Sequence, residues 1–145
     1  MPGNEVTEVF CKELIIETHG EGDIIDLSSG VQEIVSESGI PEGQVSVFVK
    51  GSTAAITTIE YEPGVLSDLR RALNVIAPAD ATYEHDRAWG DGNGRSHVRA
   101  AIIGPSVTIP VRGGKMLNGT WQQVVLIELD IRPRRTRSVI CTVNG

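Results

Sequence analysis

Strand-length apolar runs separated by glycine turns occupy most of the second half of this 145-residue chain. The dipeptides Gly104-Pro105, Gly113-Gly114 and Asn118-Gly119 are strong turn signals that divide the region into short segments. We predict strands over residues 98–103, 106–112, around Met116, 122–131 and 137–143. Short strands joined by tight turns favour a mostly antiparallel sheet system.

The first half of the chain adds strands and two helices. Apolar residues recur at helical spacing over 26–38 and 63–78, so we predict a helix in each segment; their apolar faces contain Leu27, Val31, Ile34, Val35, Leu66, Leu69, Leu73 and Ile76. Strands are predicted over 6–18, 44–50 and 53–60, with Gly51-Ser52 turning the last two into a hairpin. We therefore expect an α+β fold in a single domain over residues 1–145.

Composition excludes two classes of protein. Hydrophobic residues make up 40 % of the chain and charged residues 22 %, which is ordinary usage and argues against disordered and membrane proteins. No apolar run approaches the roughly 20 residues of a membrane span, and the N-terminal residues lack a basic region followed by an apolar one. We expect a cytoplasmic protein that does not bind membranes.

The net charge bears on whether the chain binds nucleic acid, and the cysteine spacing bears on the state of its two thiols. The formal net charge is −6, and basic residues cluster only between Arg132 and Arg137. Without an RNA-binding signature, an acidic chain is not expected to bind nucleic acid, so this cluster is interpreted as a solvated turn or as ion pairs between subunits. Cys11 and Cys141 lack CxxC spacing and lie in apolar runs, so we predict buried thiols.

The segment Asp91-Gly-Asn-Gly-Arg-Ser-His97 concentrates side chains that could form a site. It ends a stretch, 79–96, that shows no sustained periodicity, and loops of this length are often functional or mobile. Glycines let the backbone approach a ligand, while Asp91, Asn93 and His97 supply a carboxylate, an amide and an imidazole. Asp-Gly and Asn-Gly are also strong turn dipeptides, so a plain turn is the alternative.

Strand alternation suggests how other polar residues are placed. His97 and Arg99 would share one face at the start of the predicted strand 98–103 and could contact one ligand. Glu128 and Gln122 lie on a strand that is apolar on both faces, and Glu60 ends another apolar strand. An unpaired buried charge costs several kcal/mol, so we expect an ion pair at a strand end or subunit interface, or a role in binding.

Five segments, in order along the chain, resemble a known family: 48–60, 91–100, 103–106, 119–122 and 128–135. A single segment such as Gly-Thr-Trp-Gln at 119–122 would be weak, but the ordered set covers nearly the whole chain. By these segments the chain is identified as resembling the YjbQ-like family, whose members are described as secondary thiamine-phosphate synthases.

The resemblance implies a β-sandwich assembled as a homotrimer, with sites near the subunit contacts. It also implies thiamine-phosphate synthase activity, in which a pyrimidine alcohol diphosphate is joined to a thiazole phosphate and pyrophosphate leaves. The departing charge must be neutralised, by a divalent cation such as Mg²⁺ or Zn²⁺ and by basic side chains. On matching positions the implied residues are catalytic His97, Asp91 and Glu60; phosphate- or substrate-binding Arg99, Asn93, Gln122, Glu128 and Arg95; and metal-binding His97 and His85.

The chain departs from the family pattern at histidine positions. Many members carry a histidine where Gly51-Ser52 stands here, and others where Gly90 and Arg95 stand, so a three-histidine metal site is incomplete. His85 and His97 could still bind a metal together with a carboxylate, or be satisfied by backbone hydrogen bonds. Two functions stay open: an enzyme acting on phosphorylated small molecules, and a non-catalytic trimer that binds a metabolite or a metal.

Overall fold

Two antiparallel sheets organise the fold in a computed structural model, which describes residues 8–145. The strands of this region are β1 (Val9–Thr18), β2 (Ile24–Asp26), β3 (Glu42–Val49), β4 (Ala54–Ile59), β5 (Ser106–Arg112), β6 (Lys115–Met116), β7 (Gln123–Glu128) and β8 (Arg135–Asn144). Five of them form the larger sheet in the order β1-β8-β3-β5-β6, and three form the smaller sheet in the order β2-β7-β4. All these pairings are antiparallel, as predicted.

The described residues also form four helices, two more than predicted: α1 (Ser28–Ser38), α2 (Pro63–Ile76), α3 (Glu84–Trp89) and α4 (Gly94–Ile103). α1 ends at Gly39, whose φ of 67° is a left-handed conformation that glycine adopts without strain. α2 begins at Pro63, and the Glu62 carboxylate caps it by accepting hydrogen bonds from the N–H groups of Gly64 and Val65.

The main core lies between the two sheets and α1. Every second residue along β3 and β8 is buried there, as the pleat of a half-buried strand requires; these residues are Val45, Val47, Val49, Val139, Cys141 and Val143. Val124 and Leu126 of β7 and the predicted apolar face of α1 pack against them.

A second apolar cluster covers the opposite face of the smaller sheet. Leu66 of α2 and Ala100 of α4 pack there against Val125 and Ile127. The smaller sheet is therefore buried on both faces, as predicted from its sequence, and any charged residue on β7 needs a partner inside the protein.

Segment 98–103, predicted as a strand, is part of α4, so that prediction is wrong. The buried residues Ser96 and Ala100 are one helical turn apart, which is helix periodicity rather than strand periodicity. The β-branched Val98 and Ile102, which suggested a strand, lie exposed on the other side of the helix.

The predicted hairpin between β3 and β4 is also wrong. β3 pairs with β5 and β8 in the larger sheet, whereas β4 pairs with β7 in the smaller sheet. Residues 50–53 therefore carry the chain from one sheet to the other. Backbone hydrogen bonds from Lys50 to Ser138 and from Leu129 to Thr53 anchor this crossing to both sheets.

Other predictions had mixed outcomes. The stretch 79–96 contains α3 and the start of α4. Cys141 is buried and its pKa is raised to about 11, mainly by burial, but Cys11 is exposed, contrary to prediction. The predicted start of the first strand, residues 6–7, lies outside the described residues. Within residues 8–145, no helix combines the length and apolar character needed to cross a membrane.

Candidate functional site

A polar cleft of about 240 Å³ lies where the chain crosses between the sheets. Its walls come from the crossing at 51–53, the N-terminal end of α4, the loop after β7 and the start of β8. Its polar lining includes Ser52, Asp91, Asn93, His97, Asp130 and Arg137. Asp91, Asn93 and His97 of the segment that the sequence singled out thus contribute to one concave surface.

A buried ion pair next to the cleft joins the two sheets. Glu128 at the end of β7 is 0 % exposed, and Arg137 of β8 is 2 % exposed. Nε and Nη2 of Arg137 donate to Oε1 and Oε2 of Glu128 over 2.8 and 2.5 Å. Thr18 Oγ1 donates to the same Oε1 at 2.6 Å. Glu128 is therefore paired within the chain, by Arg137 and Thr18.

Asp130 forms a second buried network in the wall of the cleft. Its Oδ2 accepts hydrogen bonds from Thr53 Oγ1 at 3.0 Å, Asn93 Nδ2 at 3.2 Å and Arg135 Nη1 at 2.5 Å. Asn93 Oδ1 in turn accepts from the N–H of Ile131 at 3.1 Å. The Asn93 side chain, predicted to bind substrate, thus ties the start of α4 to the loop after β7.

Hydrogen bonds keep both buried acids ionised. Burial by itself raises the pKa of Glu128, but hydrogen bonds led by those from Arg137 and Thr18 outweigh burial, and the pKa is lowered. The pKa of Asp130 is likewise lowered against the effect of burial, by hydrogen bonds led by that of the Arg132 N–H. Both groups are carboxylates at neutral pH.

One histidine and two aspartates form a cluster beside the cleft. His85 and Asp86 lie on α3 and Asp91 on the loop to α4, with one ligand atom of each within 4.8 Å of the others. His85 Nδ1 lies 3.6 Å from Asp86 Oδ1 and 3.4 Å from Asp91 Oδ1. This nitrogen is buried, and residues 8–145 give it no hydrogen-bond partner. Buried polar atoms are almost always paired, so this one requires an explanation.

His97 lies next to this cluster. Its ring centroid is 4.5 Å from that of His85, with the two planes tilted by 48°. The side chain lines the polar cleft and also an apolar cavity of about 220 Å³ formed in part by Ala54 and Ala100. The structure thus brings together His85, His97 and Asp91, three of the residues singled out in the sequence.

Arg95 and Arg99, predicted to bind phosphate, both contact Glu21. They lie one turn apart on α4 and so on one side of it, whereas His97 faces another side; the predicted shared face of His97 and Arg99 is wrong. Arg95 donates to the Glu21 carboxylate over 2.7 and 2.9 Å, which lowers the pKa of Glu21 and raises that of Arg95. Arg99 is 7 % exposed and donates from Nε and Nη2 to the carbonyl of Ala77.

Glu60 and Gln122 lie at the other end of the smaller sheet. The register places Ala54 opposite Glu128 at the cleft end, and Glu60 follows β4 at the far end, roughly 20 Å away at about 3.4 Å per residue. Glu60 lines a separate cavity of about 410 Å³. Within one chain, Glu60 therefore lies apart from His97, with which it was predicted to act.

Comparison with known proteins gives the family. The family model described as UPF0047 protein YjbQ-like matches residues 12–145. The chain belongs to this family. The UPF0047 protein of Methanothermobacter thermautotrophicus is 41 % identical over 130 residues, covering 90 % of this chain and 89 % of that protein. The UPF0047 protein YugU of Bacillus subtilis is 31 % identical over 137 residues, covering 94 % and 100 %. The predicted family is confirmed.

Solved structures of similar proteins share the UPF0047 fold. A YbjQ-like protein of unknown function from Sulfolobus solfataricus matches with a TM-score of 0.90 at 31 % identity, covering 97 % of this chain and 99 % of that one. A hypothetical protein from Aeropyrum pernix matches with a TM-score of 0.84 at 29 % identity, covering 94 % and 98 %. The α+β fold with antiparallel sheets is confirmed.

The prediction of a thiamine-phosphate synthase is wrong. The relatives are named only as UPF0047 proteins, and the Sulfolobus protein is described as having unknown function. The geometry agrees with this correction, because Glu60 stands apart from His97 and Asp91, and Arg99 is engaged with a backbone carbonyl.

The sequence prediction missed Asp86, Asp130 and Arg137, which build much of the site. Arg137 precedes Val139 by two residues, so strand alternation already placed it on the buried face of β8. Asp86 directly follows His85, a spacing that could have been noticed. Asp130 has no comparable signal, because the partners that tie it to the cleft, Thr53 and Asn93, lie far away in the chain.

Proposed function

We propose that this UPF0047 protein binds a divalent metal ion through His85, Asp86 and Asp91, with His97 beside the site. The observation that carries the proposal is the buried Nδ1 of His85, which faces two carboxylates and lacks a hydrogen-bond partner in the described part of the chain. A cation bound there would satisfy this nitrogen and offset the negative charge of the aspartates.

The two distances from His85 fit a tetrahedral cation. Bonds of about 2.0–2.2 Å place neighbouring ligand atoms of a tetrahedron roughly 3.3–3.6 Å apart. The separations of 3.4 and 3.6 Å between His85 Nδ1 and the oxygens of Asp91 and Asp86 fall in this range. One imidazole with two carboxylates suits Zn²⁺ better than Mg²⁺, which prefers an octahedral set of oxygens.

Backbone hydrogen bonds orient both carboxylates. Asp86 Oδ1 accepts from the N–H of Gly94 over 2.9 Å, and Asp91 Oδ1 accepts from the N–H of Asn93 over 3.1 Å. Contacts of this kind fix the direction of metal ligands. Metal titration therefore tests whether a cation binds between these side chains.

His97 and Asp91 both line the polar cleft, so a molecule entering the cleft would reach the metal. This arrangement favours the non-catalytic interpretation of the sequence, a protein that binds a metal and a small molecule. Two further expectations accompany the proposal. One is a cytoplasmic location; the other is assembly as a homotrimer, which exposed side chains such as Trp89 and Trp121 support.

Calorimetric titration of metal-stripped protein with ZnCl₂ tests the proposal. We expect one Zn²⁺ per chain and a loss of affinity of at least about 100-fold in His85→Ala, because a ligand is removed and even outer contacts are worth 10–100-fold. His19→Ala is the matched control, since His19 lies in an exposed turn. Absence of saturable binding to the wild-type chain, or unchanged binding in His85→Ala, would refute the site.

A further inference from the structure

The buried guanidinium of Arg137 has one end, Nη1, that the described residues do not use. Nε and Nη2 donate to Glu128, and Nη2 also donates to Oγ1 and the carbonyl of Thr53 over 2.8 and 3.1 Å. Among residues 8–145, no acceptor for Nη1 is found. Because Arg137 lines the polar cleft, this free N–H₂ end is available to whatever occupies the cleft.

Gly51 keeps this end of the guanidinium uncovered. A Cβ atom at position 51 would lie 2.8 Å from Nη1 of Arg137, closer than packed atoms tolerate. Gly51 also has a φ of 133°, a conformation that other residues rarely adopt. A side chain at position 51 would cover Nη1, and glycine leaves it open.

The charges around Nη1 favour an anion over a cation. Arg132 and Arg135 line the same cleft; Arg135 is paired with Asp130 and Arg137 with Glu128, so Arg132 supplies the positive charge in excess of these two pairs. Asp130, the nearest buried carboxylate in the wall, is already used: Oδ2 accepts three hydrogen bonds and Oδ1 accepts from the N–H of Arg132. Asp91 also lines the cleft, but its Oδ1 lies 3.4 Å from His85 Nδ1.

We propose that the cleft is a phosphate-binding site, in which Nη1 of Arg137 donates to an oxygen of the anion and Arg132 and Ser52 contact it from the rim. The planar edge of Arg137 that would grip a carboxylate with two parallel hydrogen bonds is taken by Glu128. What remains is a single-point donor with basic neighbours, which suits a tetrahedral oxyanion approached from several directions. The ligand class is a phosphate group, free or carried by a small molecule that fits about 240 Å³.

This site is independent of the metal, because its donors are arginine and serine rather than His85 or Asp86. The two are nevertheless neighbours, since Asp91 lines the cleft. A cation on Asp91 would offset the negative charge of this carboxylate and add positive charge beside the anion. Phosphate should therefore bind more tightly when Zn²⁺ is present, and Zn²⁺ should bind more tightly when phosphate is present.

Calorimetric titration with inorganic phosphate in EDTA, at constant ionic strength, measures the site without metal. Arg132→Gln should weaken phosphate binding about three-fold or more, because it removes a charge at the rim. Arg134→Gln removes the same charge from the same loop at a residue outside the cleft lining, and should bind like wild type. Acetate in place of phosphate should bind at least about ten-fold more weakly.

Gly51→Ala tests the free guanidinium end directly. It should weaken phosphate about ten-fold or more through loss of a charge-assisted hydrogen bond. Gly113→Ala is its control, a positive-φ glycine in the β5–β6 turn with open space around it. If Gly51→Ala fails to fold, the comparison of Arg132→Gln with Arg134→Gln still tests the phosphate site.

Failure of this proposal is distinguishable from failure of the metal site. His85→Ala should lose Zn²⁺ but keep phosphate binding in EDTA, whereas Arg132→Gln should keep Zn²⁺ binding. The phosphate proposal is overturned if the wild-type chain shows no saturable phosphate binding. It is equally overturned if Arg132→Gln and Arg134→Gln weaken phosphate by the same factor, or if acetate binds as well as phosphate.

Discussion

At the scale of single residues, the ion pair between Glu128 and Arg137 governs both stability and the cleft. Glu128 ends a strand of the smaller sheet, and Arg137 lies on the larger sheet, so the pair fastens one sheet to the other. It also holds the guanidinium with Nη1 turned to the cleft. A buried ion pair adds little net stability over an apolar pair, but removal of one partner leaves the other charge buried without a counterion.

Glu128→Gln should therefore destabilise the fold by about 3–5 kcal/mol at neutral pH, because it leaves the Arg137 charge buried without a counterion. Urea unfolding at pH 7 measures this free energy. Glu33→Gln, an exposed position on α1, is the control and should change stability by less than about 0.5 kcal/mol. Equal unfolding midpoints for wild type and Glu128→Gln would contradict the role of the pair.

The same ion pair predicts how the stability of the fold depends on pH. The pKa of Glu128 is lower in the folded chain than its ordinary value of 4.5. Its contribution is therefore fully present above about pH 4.5 and is lost as the pH falls through the folded pKa. The wild-type chain should lose stability toward pH 3, and Glu128→Gln should lose less over that interval; parallel pH profiles would show that another group is responsible.

Individual residues were predictable from sequence only where the signal is local. A charged residue on a strand buried on both faces must be paired, so an ion pair at Glu128 was one of the two alternatives that the sequence left open, beside a role in binding. Its partner could not be chosen, because several arginines follow within a few residues. The predicted shared face of His97 and Arg99 was wrong because it rested on strand alternation in a segment that is helical. The binding roles of Arg95 and Arg99 stay predictions.

At the scale of elements, periodicity and caps were enough for α1 and α2 but not for α3 and α4. Gly39 and Pro63 mark helix boundaries, and the apolar positions of α1 are buried as predicted. α3 has 6 residues, none of them buried, so it has no apolar period to detect. α4 begins in the polar segment that was interpreted as a loop, and its exposed β-branched residues imitate a strand.

The contact between α3 and α4 sets the geometry of the proposed metal site. A Cβ atom on Gly94, the first residue of α4, would overlap Cβ of Tyr83 and lie 2.8 Å from its Cγ. Tyr83 immediately precedes α3, which carries His85 and Asp86. The two helices can therefore approach this closely only with glycine at position 94.

Gly94→Ala should destabilise the chain by about 1–3 kcal/mol through overpacking and should weaken Zn²⁺ binding by displacing α3. Thermal unfolding and zinc titration measure the two effects. Gly30→Ala is the matched control: Gly30 also lies in a helix, but its added Cβ would be 3.4 Å from the flexible end of Leu14. We expect Gly30→Ala to leave zinc binding unchanged, and an unaltered zinc affinity in Gly94→Ala would show that α3 does not depend on this contact.

At the scale of the whole molecule, the cleft is assembled from segments far apart in sequence: the crossing at 51–53, the segment 91–97 and residues 130–137. Most of the strands and the antiparallel character of the sheets were readable from turns and alternation, but β2 was missed and segment 98–103 is helical. The crossing between sheets was not, because Gly51-Ser52 is compatible with a hairpin and only the long-range pairing of β4 with β7 decides otherwise.

Large apolar side chains remain exposed on the chain taken alone. Trp89, Trp121 and Val75 are 77 %, 74 % and 76 % exposed, and Trp121 borders a cavity together with Tyr61. Tryptophan is costly to leave in water and is enriched at protein interfaces. This exposure supports self-association. From the family resemblance we expect an assembly of three copies.

Light scattering coupled to size-exclusion chromatography should therefore give about three times the chain mass of 15.6 kDa over a wide range of concentration. Trp121→Arg should shift the distribution toward the monomer, because it places a charge where an apolar contact is expected. Val75→Arg adds the same charge at an equally exposed position on α2 and separates a specific contact from general repulsion. A wild-type chain that stays monomeric throughout would remove the trimer, and the exposed tryptophans would then be surfaces for a different partner.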